Sequence, residues 1–177
     1  MGQDNPAIAW YQYSSETKDT YLSFMVRWMA LNYLYEHWYT FNPGSNACGM
    51  IRPNHSTHTE DQIIRGFAQT FEVQLNAAGF VFIASNYPEL CKSAIKDMRT
   101  GRTPGYRKTD YHNMVDRNDI PSVFLTIYYV RCNLMHGSKN PADFRDKSLV
   151  RECSSILEGI LSTIIEKGID LYPGFLD

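Results

Sequence analysis

Apolar side chains recur at the helical period along most of this chain, and that repeat limits the fold more than any other sequence feature. The spacing i, i+3, i+4, i+7 is kept over four segments, near residues 15–40, 59–79, 120–136 and 144–167. A shorter segment of the same kind starts at Ser85 or Asn86 and Pro88. Such a stripe marks a helix that buries one side against its neighbours. With no β-hairpin pattern, repeat or linker in the sequence, we predict an all-α, up-down bundle of about five helices.

Length and composition indicate one domain. The 177 residues are 44% hydrophobic and 20% charged, values typical of a globular protein with a sizeable core, so we treat 1–177 as a single unit. Residues 1–14 are polar and tyrosine-rich without a clear period, and we predict a loose N-terminal arm there. The formal net charge of −2 argues against broad electrostatic capture of nucleic acid but leaves room for a local basic groove.

The sequence favours a cytoplasmic protein that uses no membrane, metal or cofactor. Its N-terminus, M-G-Q-D-N-P, lacks the features of a signal peptide, and no apolar run approaches the roughly 18 residues of a membrane span. The four cysteines are not arranged at metal-binding spacing and are expected to be reduced. His55 and His58 form H-x-x-H, but in a segment rich in Pro, Asn, Ser and Thr, which is more typical of a solvated loop than of a metal site.

Polar chemistry is concentrated where the segment near 120–136 ends. The stretch F-L-T-I-Y-Y-V-R-C-N-L-M-H-G-S-K begins apolar and then presents Arg131, Asn133 and His136. Gly137 is suited to end the helix in a left-handed conformation, and Asn140 with Pro141 to start the next one. By composition alone, an Arg and a His in such a place are more often structural than functional.

The longer string Y-x-V-R-C-N-L-M-H-G-x-K resembles the signature helix of the HEPN superfamily, whose motif is Arg, four to six residues, then His. Here the motif residues are Arg131 and His136, with four residues between them. The string F-M-V-R-W-M-A-L-N-Y-L-Y also resembles the first helix of many members. The charged segment D-F-R-D-K-S-L-V-R-E resembles the one that leads into their final helix. The resemblance implies a HEPN-like bundle that dimerises through the signature helix.

Active members of that superfamily are metal-independent endoribonucleases, and many are toxins or phage-defence effectors. The resemblance therefore implies RNA cleavage through attack of the 2′-OH. In such a reaction His136 can act as base or acid, Arg131 can bind phosphate oxygens, and Asn133 is assigned to orienting His136. Because Arg131 and His136 lie about 140° apart on a regular helix, one copy does not bring them together. Pairing two signature helices about a two-fold axis, as the family does, is expected to complete the site.

The only basic cluster of the sequence supplies the predicted RNA contacts. It comprises Arg99, Arg102, Arg107 and Lys108 in a Gly/Pro turn region, and Lys139 follows the signature motif. These side chains are expected to contact the phosphate backbone, the alternative being an ordinary solvated surface.

Two functional classes remain open at this point. Toxin-type family members imply an antitoxin protein as a further partner, although Ser138 stands where some carry a Tyr that a partner nucleotidyltransferase modifies. The alternative to a nuclease is a non-catalytic dimeric helical module that binds a nucleotide, RNA or a protein, with Arg131 and His136 in structural roles. Because this sequence has both motif residues, Arg131 and His136, we favour the nuclease over the binding module.

Overall fold

The described part of the chain is built from α-helices, which confirms the predicted all-α bundle. The computed structural model describes residues 5–41, 59–92, 95, 119–137, 140 and 142–171. Within those ranges there is no strand, and the six α-helices are α1 Pro6–Glu16, α2 Thr20–Phe41, α3 Glu60–Ala77, α4 Pro88–Cys91, α5 Ile120–Met135 and α6 Phe144–Glu166. None of the described helices is long and apolar enough to cross a membrane.

The N-terminal segment is a helix, so the predicted loose arm over residues 1–14 is wrong for the described part. Asn5 caps α1 by accepting a hydrogen bond from the backbone N–H of Ala7 at 2.9 Å, and Pro6 takes the first helical position. The buried side chains of α1 are the small residues Ala7 and Ser14. Because neither residue is strongly hydrophobic, the sequence shows no helical repeat of apolar side chains in this segment. The helix predicted from residue 15 instead begins at Thr20.

Helix α2 is the central element of the bundle. It packs against α1, α3 and α6. Its buried side chains point to several sides, as expected for a helix inside a domain rather than on its surface: Ser23, Phe24, Val26, Trp28, Ala30, Leu31, Leu34, Tyr35 and Trp38. Each large apolar side chain fully buried in this way stabilises the fold by roughly 1.5–3 kcal/mol. The single stripe predicted from the sequence describes only part of this burial.

Helices α3 and α5 pack against each other and bring the predicted signature segment into the core. The backbone N–H of Thr59 donates to Gln62 at 3.0 Å, the contact expected of a capping box at the start of α3. At the start of α5, Asp119 accepts a hydrogen bond from the backbone N–H of Ser122 at 3.2 Å. These local caps explain why both helices begin where the sequence predicts.

Two boundaries differ from the sequence prediction. Helix α6 is capped by Asp143, whose Oδ1 accepts from the backbone N–H of Asp146 at 2.9 Å, and not by Asn140. Asn140 instead closes a short turn by accepting from the N–H of Ala142 at 2.9 Å. The third predicted helix is seen only as the single turn α4, after a 3-10 turn at Ala84–Asn86, and its predicted end lies outside the described residues.

Candidate functional site

The C-terminal end of α5 carries the candidate site, and its backbone has the geometry expected of a helix stop. His136 is the C-cap residue, and its N–H donates to the carbonyl of Cys132 at 3.0 Å. Gly137 follows with φ of +70°, the left-handed conformation that the sequence predicts, and its N–H donates to the carbonyl of Leu134 at 3.0 Å. The helix therefore ends at Met135 and leaves His136 at its tip.

Arg131 is held inside the bundle by side chains from two other helices. Its Nη1 lies 3.3 Å from Oε2 of Glu60 on α3, and its guanidinium carbon lies 5.4 Å from the ring centre of Trp28 on α2. The Arg131 side chain is 24% exposed. Burial alone lowers the pKa of Arg131, but the charge of Glu60, a hydrogen bond with Cys132 and other nearby groups outweigh burial and raise the pKa overall. The guanidinium is thus a permanent cation.

Glu60 connects Arg131 to the buried residue Tyr35. The Tyr35 hydroxyl donates to Oε1 of Glu60 at 2.6 Å, while Oε2 faces Arg131. Burial first, and then this hydrogen bond, raise the pKa of Tyr35 well above its usual range, so the hydroxyl remains a donor. Glu60 also occupies the first turn of α3, where a negative charge is favoured by the helix dipole. Tyr35, Glu60 and Arg131 therefore form a hydrogen-bonded chain across α2, α3 and α5.

A second carboxylate lies beside this chain. The pKa of Glu36 is raised, first by burial and second by the negative charge of Glu60, and the neighbouring His37 acts in the opposite direction. The His37 ring stacks on Tyr33 with centres 3.7 Å apart. Glu36 therefore adds a second carboxylate close to Glu60, the carboxylate that contacts Arg131.

His136 and Asn133 occupy contrasting environments. His136 is exposed, whereas Asn133 is buried with 3% of its surface accessible and makes an interaction within the protein. Arg131 points into the bundle, and no hydrogen bond or ion pair joins it to His136 although both residues lie in the described part of the chain. The structure thus agrees with the expectation from helix spacing that Arg131 and His136 do not converge within one copy.

The predicted RNA-contacting residues Lys139, Arg99, Arg102, Arg107 and Lys108 all lie outside the described residues. The same is true of the H-x-x-H histidines, His55 and His58. Among the residues that are described, no group of three or more His, Cys, Asp and Glu side chains is placed to hold a metal ion.

Sequence reasoning did not single out Glu60 as a site residue, and it placed Tyr35 and Trp28 only in an apolar stripe. The pairing of Glu60 with Arg131 spans 71 positions of the chain, and that with Tyr35 spans 25. The only local signal was the position of Glu60 directly after Thr59, which marks it as a first-turn residue but says nothing of its partners.

A second inter-helix cation offers a useful comparison with Arg131. Arg27 on α2 pairs with Glu158 on α6, with Nη2 and Oε2 3.0 Å apart, and donates to Ser154 Oγ at 2.8 Å and Ser14 Oγ at 3.4 Å. All three of its nitrogens therefore have a partner. Arg131 differs, because its Nε is buried without a hydrogen-bond partner among the described residues. The fully bonded Arg27 side chain is therefore well suited to a purely structural role. The Arg131 guanidinium has fewer of its hydrogen bonds made within the described residues.

Comparisons with protein-family models, with curated proteins and with solved structures found nothing that matches this chain.

Proposed function

We propose that this protein is a metal-independent endoribonuclease of the HEPN type, which cleaves RNA through attack of the 2′-OH and acts as a toxin or phage-defence effector. The observation that carries the proposal is the arrangement at the end of α5. An exposed imidazole stands at the helix tip, and a permanently charged guanidinium is held a little more than one turn earlier. Proton transfer and stabilisation of a negative phosphorane are the two tasks that such a cleavage requires.

In this proposal His136 moves a proton and Arg131 stabilises charge on the phosphate. The exposure of His136 supports the first role, since a proton-transfer group must reach the substrate. The planar guanidinium of Arg131 can bind phosphate oxygens without losing its charge. Asn133 keeps its assigned role of orienting His136, and its burial three residues before the helix tip supports a positioning role.

The composite site is proposed to form in a homodimer. Helix α5 is mostly buried as far as Asn133, so the surface it offers to a second copy is its C-terminal end. Met135, 61% exposed at the end of α5, and Phe144, 80% exposed at the start of α6, provide apolar contact area. Lys139, with the basic cluster at Arg99, Arg102, Arg107 and Lys108, is proposed to contact RNA phosphates. An antitoxin protein remains a proposed further partner.

The second candidate is a non-catalytic dimeric module that binds a nucleotide, RNA or a protein. The pairing of Arg131 with Glu60 favours it, because Arg131, like Arg27, joins two helices of the bundle through a glutamate. In that case Arg131 would serve the packing of α5 on α3, and His136 would be an ordinary exposed residue.

The deciding experiment is incubation of purified protein with RNA in EDTA. We expect cleavage that leaves 2′,3′-cyclic phosphate ends and that His136→Ala reduces by a factor of order 10²–10⁴. Lys167→Ala is a matched control, since Lys167 is the exposed C-cap of α6 and also precedes a left-handed glycine. Intact RNA with the wild-type protein, or equal cleavage by His136→Ala, would leave the binding module as the function.

A further inference from the structure

Glu60 meets the Arg131 guanidinium through one oxygen only. Nη1 of Arg131 contacts Oε2 of Glu60 at 3.3 Å and Sγ of Cys132 at 3.8 Å, and the other Glu60 oxygen contacts Tyr35. An arginine and a carboxylate often form two parallel hydrogen bonds instead. The single contact therefore leaves Nη2 uncommitted to Glu60, whereas Nε, also without a hydrogen bond among the described residues, is buried and closed to a substrate.

Tyr35 accounts for this one-oxygen contact. Its hydroxyl lies 2.6 Å from Oε1 of Glu60, and its side chain is fully buried in the core, so its position is set by packing. Trp28, also fully buried, packs against Tyr35 with ring centres 6.1 Å apart and lies beside the Arg131 guanidinium. One rigid pair of aromatic residues thus places both Glu60 and Arg131.

We propose that Glu60, held by Tyr35, is a positioning residue that fixes the Arg131 guanidinium while leaving the N–H groups of Nη2 for an RNA phosphate. This inference rests on the proposed function, because it assigns a partner to one of the residues of that site. Preorganised donors of this kind need no rearrangement when charge develops on the substrate. Removing the Tyr35 hydroxyl frees the second oxygen of Glu60, which then competes with the phosphate for the fork.

The test compares four variants in two measurements. Glu60→Ala, Glu60→Gln and Tyr35→Phe change the chain of hydrogen bonds, and Glu158→Gln breaks the other inter-helix arginine pair as a control for lost stability. The first measurement is kcat and KM for cleavage of a short RNA. The second is the NMR cross-peak of the Arg131 Nε–H, which is buried and is assigned by its disappearance in Arg131→Lys.

We expect Glu60→Ala to lower kcat by roughly 10- to 100-fold, the cost of a misplaced catalytic group, and to lose the Nε–H cross-peak to exchange with water. Glu60→Gln keeps an acceptor of the same shape and should retain most of kcat and the cross-peak. Tyr35→Phe should raise KM more than it lowers kcat. Glu158→Gln should leave kcat, KM and the cross-peak as in the wild type.

The two measurements separate this inference from the proposed function. If the wild type leaves RNA intact but Glu60→Ala loses the cross-peak, the nuclease assignment fails and Glu60 remains the residue that fixes Arg131. If Glu60→Ala lowers thermal stability while the cross-peak and kcat stay unchanged, Glu60 serves only the packing of α3 and α5, and the inference is overturned.

Discussion

The two motif residues differ most clearly in their burial, and this difference sets their contributions to stability. Arg131→Ala leaves the Glu60 carboxylate without its cationic partner, although Tyr35 still donates to it, so we expect the free energy of unfolding to fall by about 1–3 kcal/mol. His136→Ala removes an exposed side chain, and a change within about 0.5 kcal/mol is expected. Urea unfolding followed by circular dichroism measures both. Equal losses in the two variants would contradict the structural role of the Arg131 contacts.

Tyr35 should make the protein sensitive to high pH. Its raised pKa, caused first by burial and then by the bond to Glu60, keeps the hydroxyl protonated in the folded state. In the unfolded state a tyrosine loses its proton near pH 10, so above about pH 10 the unfolded state binds fewer protons and stability falls as pH rises. Urea titrations at neutral and alkaline pH should give a smaller decrease for Tyr35→Phe than for the wild type. An unchanged slope would mean that Tyr35 ionises freely in the folded protein.

At the scale of the element, the end of α5 depends on one glycine. Gly137 has φ of +70°, and a Cβ built there meets no atom of the described residues within 4 Å. Gly137→Ala should therefore cost only backbone strain, about 1–2 kcal/mol in the free energy of unfolding. Gly137→Asn should cost less, because Asn tolerates the left-handed conformation. Thermal or urea unfolding of both variants checks this. A larger loss for Asn than for Ala would indicate a steric contact instead of strain.

The same pair of substitutions is predicted to move the tip of the helix. Since His136 directly precedes Gly137, backbone strain introduced by Gly137→Ala would displace the imidazole. Cleavage of RNA should therefore decrease more for Gly137→Ala than for Gly137→Asn. This comparison ties the backbone of α5 to the proposed chemistry without altering any side chain of the site.

At the scale of the whole molecule, the proposed dimer makes a prediction about exposed apolar residues. Met135→Glu places a charge at the end of α5 and should weaken self-association, because burying an unpaired charge in an interface is unfavourable. Val73→Glu is the control, since Val73 is 75% exposed on α3, away from that end. Sedimentation of wild type and variants at tens of micromolar gives the comparison. A wild-type monomer that cleaves RNA fully would remove the need for a composite site.

Local periods, capping residues and the left-handed Gly137 were enough to predict the helical class, the limits of α3 and α5 to within about two residues, and the helix stop at Gly137. The start of α6 was predicted less well, because the sequence suggested Asn140 as its cap and the structure uses Asp143. The sequence also placed Arg131 and His136 at one helix end. That α1 is a helix became clear from the folded chain, because α1 buries small residues that leave no hydrophobic period in the sequence. The tertiary structure alone decided which residues surround Arg131. Tyr35, Glu60 and Trp28 come from two other helices, and a contact between distant parts of the chain follows from packing rather than from any local pattern.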